Sequence, residues 1–148
     1  GLGDVYKRQH VLCKLPRDAE GYMGRLRCVQ EISAVTAACM MVKTSVFKAV
    51  GGFDEELKVA FNDIDLCMKV RKYGVKIVFT PYAELYHYES KSRGMEDTPE
   101  KQLRFSREVN CFRRKWEREL LKGDPYYNPN LTLNNTDCSL RKQEKNGD

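Results

Sequence analysis

The chain has 148 residues, 41% of them hydrophobic and 32% charged, with a formal net charge of +5; that is about one domain's worth of sequence with a modest core. No apolar run approaches the roughly 20 residues that cross a bilayer, the longest, Ala34 to Val42, being of strand length, and the N-terminus lacks the charged start and apolar stretch of a secretory signal. The six cysteines, Cys13, Cys28, Cys39, Cys67, Cys111 and Cys138, form no C-x-x-C pair. Zinc ligation is therefore not expected, and the thiols read as reduced and structural in a cytosolic protein, with Cys39 and Cys67 inside apolar patterns.

Taken in chain order, residues 1–9 have neither periodicity nor capping logic. They resemble a translated adapter scar, which would make the natural protein start upstream. Residues 10–31 read as loop or linker, broken by Gly21 and Gly24. Ile32 to Lys43, rich in small and β-prone residues, predicts a buried strand. Thr44 is a suitable N-cap for a short helix over Ser45 to Val50, with Phe47 and Val50 on its buried side and Gly51-Gly52 at its end. Phe53 is expected in the core. Asn62 then caps a helix over Asp63 to Tyr73, with Asp65 three residues on as an acidic capping-box variant, and Gly74 stops it. Val75 to Phe79 and Ala83 to Tyr88 read as strands separated by Pro81, the second ending near His87. Pro99 suits a helix start, and the helix runs to Leu121. The segment D-P-Y-Y-N-P-N is a turn, and residues 134–148 read as a disordered tail.

Three features could carry chemistry. In the helix after Asn62, Asp63 shares a face with Leu66, Cys67 and Val70, whereas Asp65 lies with Lys69 and Lys72. A carboxylate on the apolar face either fixes a loop by accepting backbone N–H bonds or waits as a base; helix position leaves both roles open. His87 ends a strand, where a lone imidazole is a hydrogen-bonded core residue or a ligand. Glu89, Ser90 and Arg93 belong to a polar, cationic loop beside it that is either solvated or able to hold a diphosphate. The charge excess concentrates between Lys101 and Lys122 and in the tail. A solvated helix face accounts for that segment, and the alternative is a basic binding module for anionic lipid or nucleic acid. The helix's apolar positions Leu103, Val109, Phe112, Trp116 and Leu120 suit packing on the rest of the domain or resting near a membrane.

The strand V-T-A-A-C-M-M-V, the turn V-G-G-F-D-E-E, the segment N-D-I-D-L-C-M-K-V-R-K-Y-G, the pair I-V-F-T-P-Y-A-E-L-Y-H, then H-Y-E-S-K-S-R-G and D-P-Y-Y-N-P-N-L-T follow in this order. Together they resemble the C-terminal part of family-2 inverting glycosyltransferases, closest to bacterial rhamnosyltransferase-like members that build cell-surface polysaccharides, over roughly Ser33 to Leu133. The resemblance implies an α/β chain that is the acceptor-side half of a GT-A nucleotide-diphospho-sugar transferase fold. Residues 32–98 would form that half, residues 99–133 a helix and turn packed on it, and residues 134–148 the tail. It implies that Asp63 is the general base, that Asn62 stands where the family commonly has Glu, and that Asp65 steadies the site or touches acceptor. Thr36 and Ala37 would border the acceptor cleft, and Glu89, Ser90 and Arg93 would belong to a lid over the donor. His87 would ligate Mn²⁺ or Mg²⁺, the other ligands lying in a missing N-terminal half. The implied partners are a nucleotide-sugar donor and a glycan or lipid-linked acceptor, with no nucleic acid, at a cytoplasmic site near the inner membrane face. The D-I-D triplet itself does not read as the metal-binding pair, because it opens a helix and does not end an apolar strand. Without the donor half, the chain is expected to be inactive alone and to expose apolar surface.

Overall fold

A computed structural model of the chain describes residues 2–4, 9–12, 15–86 and 98–141. Helix α1 is Thr44–Ala49, α2 is Asn62–Lys72 and α3 is Pro99–Leu121. The strands are short: β1 Leu2–Asp4, β2 Gln9–Val11, β3 Gln30–Glu31, β4 Ala34–Val35 and β5 Val78–Phe79. They form two antiparallel sheets, one in the order β2-β1-β4 and the other pairing Gln30 with Phe79 and Glu31 with Val78. The class is mixed α/β, with helices set against short strands.

Helix α2 is the centre of the molecule. Ile64, Asp65, Leu66, Cys67, Met68 and Val70 are all buried on it, so the helix is covered on more than one side. On one side it meets β4, where the Cys67 thiol donates to the Val35 carbonyl at 3.7 Å. On another it meets α3 through Phe112 and Trp116, which share a core with Ala34, Leu57, Phe61, Ile64 and Met68. A second cluster joins Leu12 and Ile32 to Leu131 and Cys138.

Helix α3 has the ends its sequence predicts. Thr98 Oγ1 accepts from the Lys101 N–H at 3.4 Å, Pro99 occupies the first turn, and Pro there sacrifices no helix hydrogen bond. The helix kinks at Trp116, whose φ of −113° and ψ of 17° depart from helical values. Helix α1 ends on Gly51 and Gly52, with φ of 79° and 63°; a Cβ on Gly52 would also lie 3.0 Å from the Phe47 ring. Residues Val75, Ile77 and Phe79 alternate with the exposed Lys76 and Val78 as the strand pattern predicts, although only Val78–Phe79 is formally strand.

Several expectations are corrected. The strand over Ile32 to Lys43 is only Ala34–Val35, followed by a 3-10 turn Ala37–Cys39. Thr36 starts that turn by accepting from the Ala38 N–H at 3.4 Å, a local bond that competes with continuing a ladder. Met41 and Cys39 are exposed in consequence. Phe53 is 47% exposed and packs edge-on against the half-buried Phe47 with centroids 5.5 Å apart. Lys43, not Thr44, caps α1, without a side-chain bond. Residues 83–86 are irregular and exposed, so the strand expected to lead into His87 does not form there. Residues 135–141, expected in the tail, are tied to the fold at several points although four of them are exposed: Cys138 is buried, Leu131 bridges Leu140, and the Leu12 N–H donates to the Thr136 carbonyl at 2.6 Å. Residues 15–31, read as loop, contain an irregular 3-10 segment, Tyr22–Arg27, and β3. Leu2–Asp4, from the stretch set aside as a scar, pairs with both β2 and β4.

Candidate active site

The head of α2 is shaped by the residue before it. Phe61 sits at the N-cap position in the left-handed region, φ 63° and ψ 4°, a conformation that strains a non-glycine residue by about 1–2 kcal/mol. What holds it there is packing: its ring stacks on Phe112 with centroids 4.8 Å apart. One residue earlier, the Ala60 N–H donates to Glu108 Oε2 at 2.6 Å, and Glu108 is buried. Helix α3 thus grips the loop entering α2 from two sides.

Asn62 was expected to cap the helix. Its Oδ1 instead accepts from the adjacent Asp63 N–H at 2.7 Å, and Asp63 Oδ1 accepts from the Ile64 N–H at 2.9 Å. These bonds satisfy N–H groups that a helix start otherwise leaves unpaired. The other carboxylate oxygen, Asp63 Oδ2, accepts from the Ala37 N–H at 3.2 Å. Asp63 is half-buried, and Thr36 and Ala37 stand directly beside it. The adjacent pair Thr36-Ala37 and Asp63, 26 residues further on, are therefore together, on a rim still open to solvent. Below them the Cys67 thiol is pushed up to about 11, chiefly by burial and further by the nearby Asp63 charge; it stays protonated and inert at neutral pH.

The depths of the two carboxylates are the reverse of the sequence expectation. Asp65, placed on the lysine side of the wheel, has no exposed surface. Its Oδ1 accepts from Trp116 Nε1 at 2.8 Å and lies 2.7 Å from Lys115 Nζ. Lys69 Nζ stands 2.9 Å from Oδ2, with angles poor for a hydrogen bond, and donates to the Gly52 carbonyl at 3.0 Å. Lys115 also pairs with Asp54, whose carboxyl is held below its ordinary range first by that hydrogen bond and then by the Glu56 N–H. Burial works to lower the Lys115 amine, but the bonds to Asp54 and Asp65 outweigh it and the net shift is upward. Asp65 ties α2 to α3 and is closed to a substrate in this arrangement.

His87, Glu89, Ser90 and Arg93 lie outside the described residues. Among the described residues no group of three or more His, Cys, Asp or Glu side chains is placed to hold a metal. Sequence reasoning missed Glu108 and Lys115. Glu108 was legible, since it lies on the α3 face that carries Phe105, Phe112 and Trp116 at helical spacing. Lys115 carried no such signal, because its partners Asp54 and Asp65 lie 61 and 50 residues away in sequence.

The chain is 54% identical over 141 residues, 95% of its length, to an uncharacterized protein of Sinorhizobium fredii, covering 15% of that protein. It is 39% identical over 115 residues, 78% of its length, to the O-antigen biosynthesis protein RfbC of Myxococcus xanthus, covering 9% of it. Over 62 residues, 42% of its length, it is 36% identical to the N-acetylglucosaminyl-diphospho-decaprenol L-rhamnosyltransferase of Mycobacterium tuberculosis, covering 20% of that enzyme. The chain thus spans a fifth or less of each of these relatives. No family model matches it, and no solved structure does. No helix among the described residues is long and apolar enough to cross a membrane.

Proposed function

We propose that this chain is the acceptor side of an inverting glycosyltransferase acting in cell-surface polysaccharide synthesis. The likeness to an O-antigen biosynthesis protein and a rhamnosyltransferase supports a glycosyltransferase-like family. The single structural observation carrying the reading is the Asp63 carboxylate, held by α2 beside Thr36 and Ala37 with solvent access on one side. Its contacts are neutral N–H groups, among the described residues, so it keeps lone-pair capacity for an acceptor hydroxyl.

In this proposal Asp63 takes the proton of an acceptor hydroxyl as that oxygen attacks the anomeric carbon of a nucleotide-diphospho-sugar. The bond to the diphosphate breaks on the opposite face, and the configuration inverts. The Ala37 and Ile64 N–H groups orient the base, and Asn62 Oδ1, the Phe61–Phe112 stack and Glu108 hold the backbone that carries it. Asp65 acts through the fold, by fixing α2 on α3, and not on the acceptor. Nucleotide binding is supplied from elsewhere in a longer polypeptide of the GT-A fold. A divalent cation, Mn²⁺ or Mg²⁺, would offset charge on the leaving diphosphate, with His87 as one ligand; the described residues offer no such site. Exposed Val78, Tyr82, Leu85 and Tyr86 provide apolar surface on which a donor half could pack.

The test is glycosyl transfer from nucleotide sugars to a lipid-diphosphate-linked acceptor, using the natural polypeptide that contains this chain. Asp63→Asn should lower kcat by about 10²–10⁴-fold, the span of general-base catalysis, while circular dichroism stays unchanged. The isolated chain should turn over no donor. Turnover by the isolated chain, or full activity in Asp63→Asn, would sink the proposal.

A further inference from the structure

A groove of about 910 Å³ opens at the other end of α2, between the C-terminal turns of α2 and α3 and the turn that runs from Gly123 to Leu133. Eight helical residues, roughly 12 Å at 1.5 Å each, separate Arg71 on its wall from Asp63. It is therefore distinct from the candidate active site and does not depend on that reading. Its size falls in the range of small-molecule sites, about 300–1,000 Å³. We propose that this groove binds an organic phosphate, a phosphate group carried on an apolar or aromatic body.

The walls suit the body. Met68, Val75, Trp116, Leu120, Pro125 and Leu133 line them, giving a predominantly apolar surface with aromatic faces. The cations suit the phosphate. Arg71, Lys72, Lys122 and Arg141 border the groove, and among the described residues none of these four pairs with a carboxylate. Two are held in place by aromatic rings: the Arg71 guanidinium carbon lies 5.6 Å from the Tyr126 centroid, and Lys72 Nζ lies 5.7 Å from that of Trp116. Cations so positioned lose little freedom on gripping an anion.

A plainer role for basic residues here is to offset helix dipoles, and its size can be set against the count. Each helix C-terminus presents about half a negative charge, so two ends account for about one of the four cations. Of the acids on the wall, Asp124 accepts from Ser33 Oγ and from the Tyr126 N–H, neutral donors that leave its charge in place, so Asp124 and Glu119 offset two more. Lys76, also on the wall, is held by Glu31 and adds nothing. An excess of about one positive charge remains, which favours an anion and offsets part of the roughly −1.5 to −2 of a phosphate monoester at neutral pH.

Trp116 is the only tryptophan in the sequence and forms part of the wall, so its emission reports on the groove. The whole chain is titrated with hexyl phosphate and with adenosine monophosphate, exciting at the red edge of tryptophan absorption, with calorimetry in parallel. Controls are hexanol, inorganic phosphate and an acidic peptide. Saturable binding of an organic phosphate is expected, about ten-fold or more tighter than inorganic phosphate or hexanol, and weakened about ten-fold in the double variant Lys122→Ala/Arg141→Ala. Both of those side chains are exposed, so the variant should retain its fold. Binding of hexyl phosphate alone supports a lipid-borne phosphate, and binding of the nucleotide alone supports a nucleotide-borne one. No binding of either by both methods, or equal affinity in the double variant, overturns the proposal. So does an acidic peptide that binds more tightly than both phosphates, which would make the groove a polypeptide dock.

Discussion

Replacing Lys115 by Met tests the view that the buried Asp65 cluster fastens α2 to α3. Methionine keeps the apolar stem that covers neighbouring surface and removes the amine shared by Asp54 and Asp65. At 2.7 Å from Asp65 Oδ1, the gross attraction at an effective dielectric of 20 is about 6 kcal/mol, most of it cancelled by desolvation. Removing one partner of a fully buried pair costs about 3–5 kcal/mol. Two features reduce that here: the Lys115 side chain is 32% exposed, and Lys69 still faces Oδ2 at 2.9 Å. We expect a loss of about 2 kcal/mol, equivalent to a fall in Tm of about 4–8 °C in a chain of this size. Urea unfolding followed by Trp116 emission measures it. The pH dependence supplies a second check. Asp54 is shifted down on folding, so its contribution is present above the unfolded carboxylate value of about 3.9 and disappears as pH falls through the lower folded value. Lys115 is shifted up, so its contribution is present below about 10.4 and disappears as pH rises through the higher folded value. The difference between wild type and variant should therefore be flat between these limits and collapse in acid. A loss under about 0.5 kcal/mol at neutral pH, as for a surface pair, or a difference that does not shrink as pH falls below the unfolded carboxylate value of about 3.9, would refute the reasoning.

The remaining expectations concern the head of α2 and the start of α3. Glu108→Ala leaves the Ala60 N–H buried without its acceptor, and should cost about 2 kcal/mol by denaturant melting; a neutral result would show that water replaces the carboxylate. Phe61→Ala should destabilise by about 3–5 kcal/mol through loss of the stack on Phe112, whereas Phe61→Gly should be milder by about 1 kcal/mol because glycine relieves the positive φ. Equal losses would mean that the backbone there is unstrained. Thr98→Ala should cost about 1 kcal/mol and fray the first turn of α3, read as faster amide exchange at Lys101.

Local chemistry made α3 legible from the sequence alone: Pro99 at a helix start and apolar residues at helical spacing placed both ends correctly, and the structure adds the Thr98 cap. The glycines after α1 and the alternation from Val75 to Phe79 were legible for the same reason, since each depends on the backbone preferences of a few neighbours. The association of Asp63 with Thr36 and Ala37 was anticipated only through a family resemblance, because 26 residues separate Ala37 from Asp63 and no local rule joins them.

The burial of the two aspartates was decided by tertiary structure. A helical wheel assumes one buried face, and on that assumption Asp63 points in and Asp65 out. Helix α2 instead lies between β4 and α3, so both flanks are covered, and the flank carrying Asp65 meets Trp116 and Lys115 across the helix pair. Sequence periodicity determines where a helix runs and which residues share a side. The number of partners packed around it, and hence which carboxylate is buried as a tie and which remains open at the rim, is set by contacts between segments some 50 residues apart.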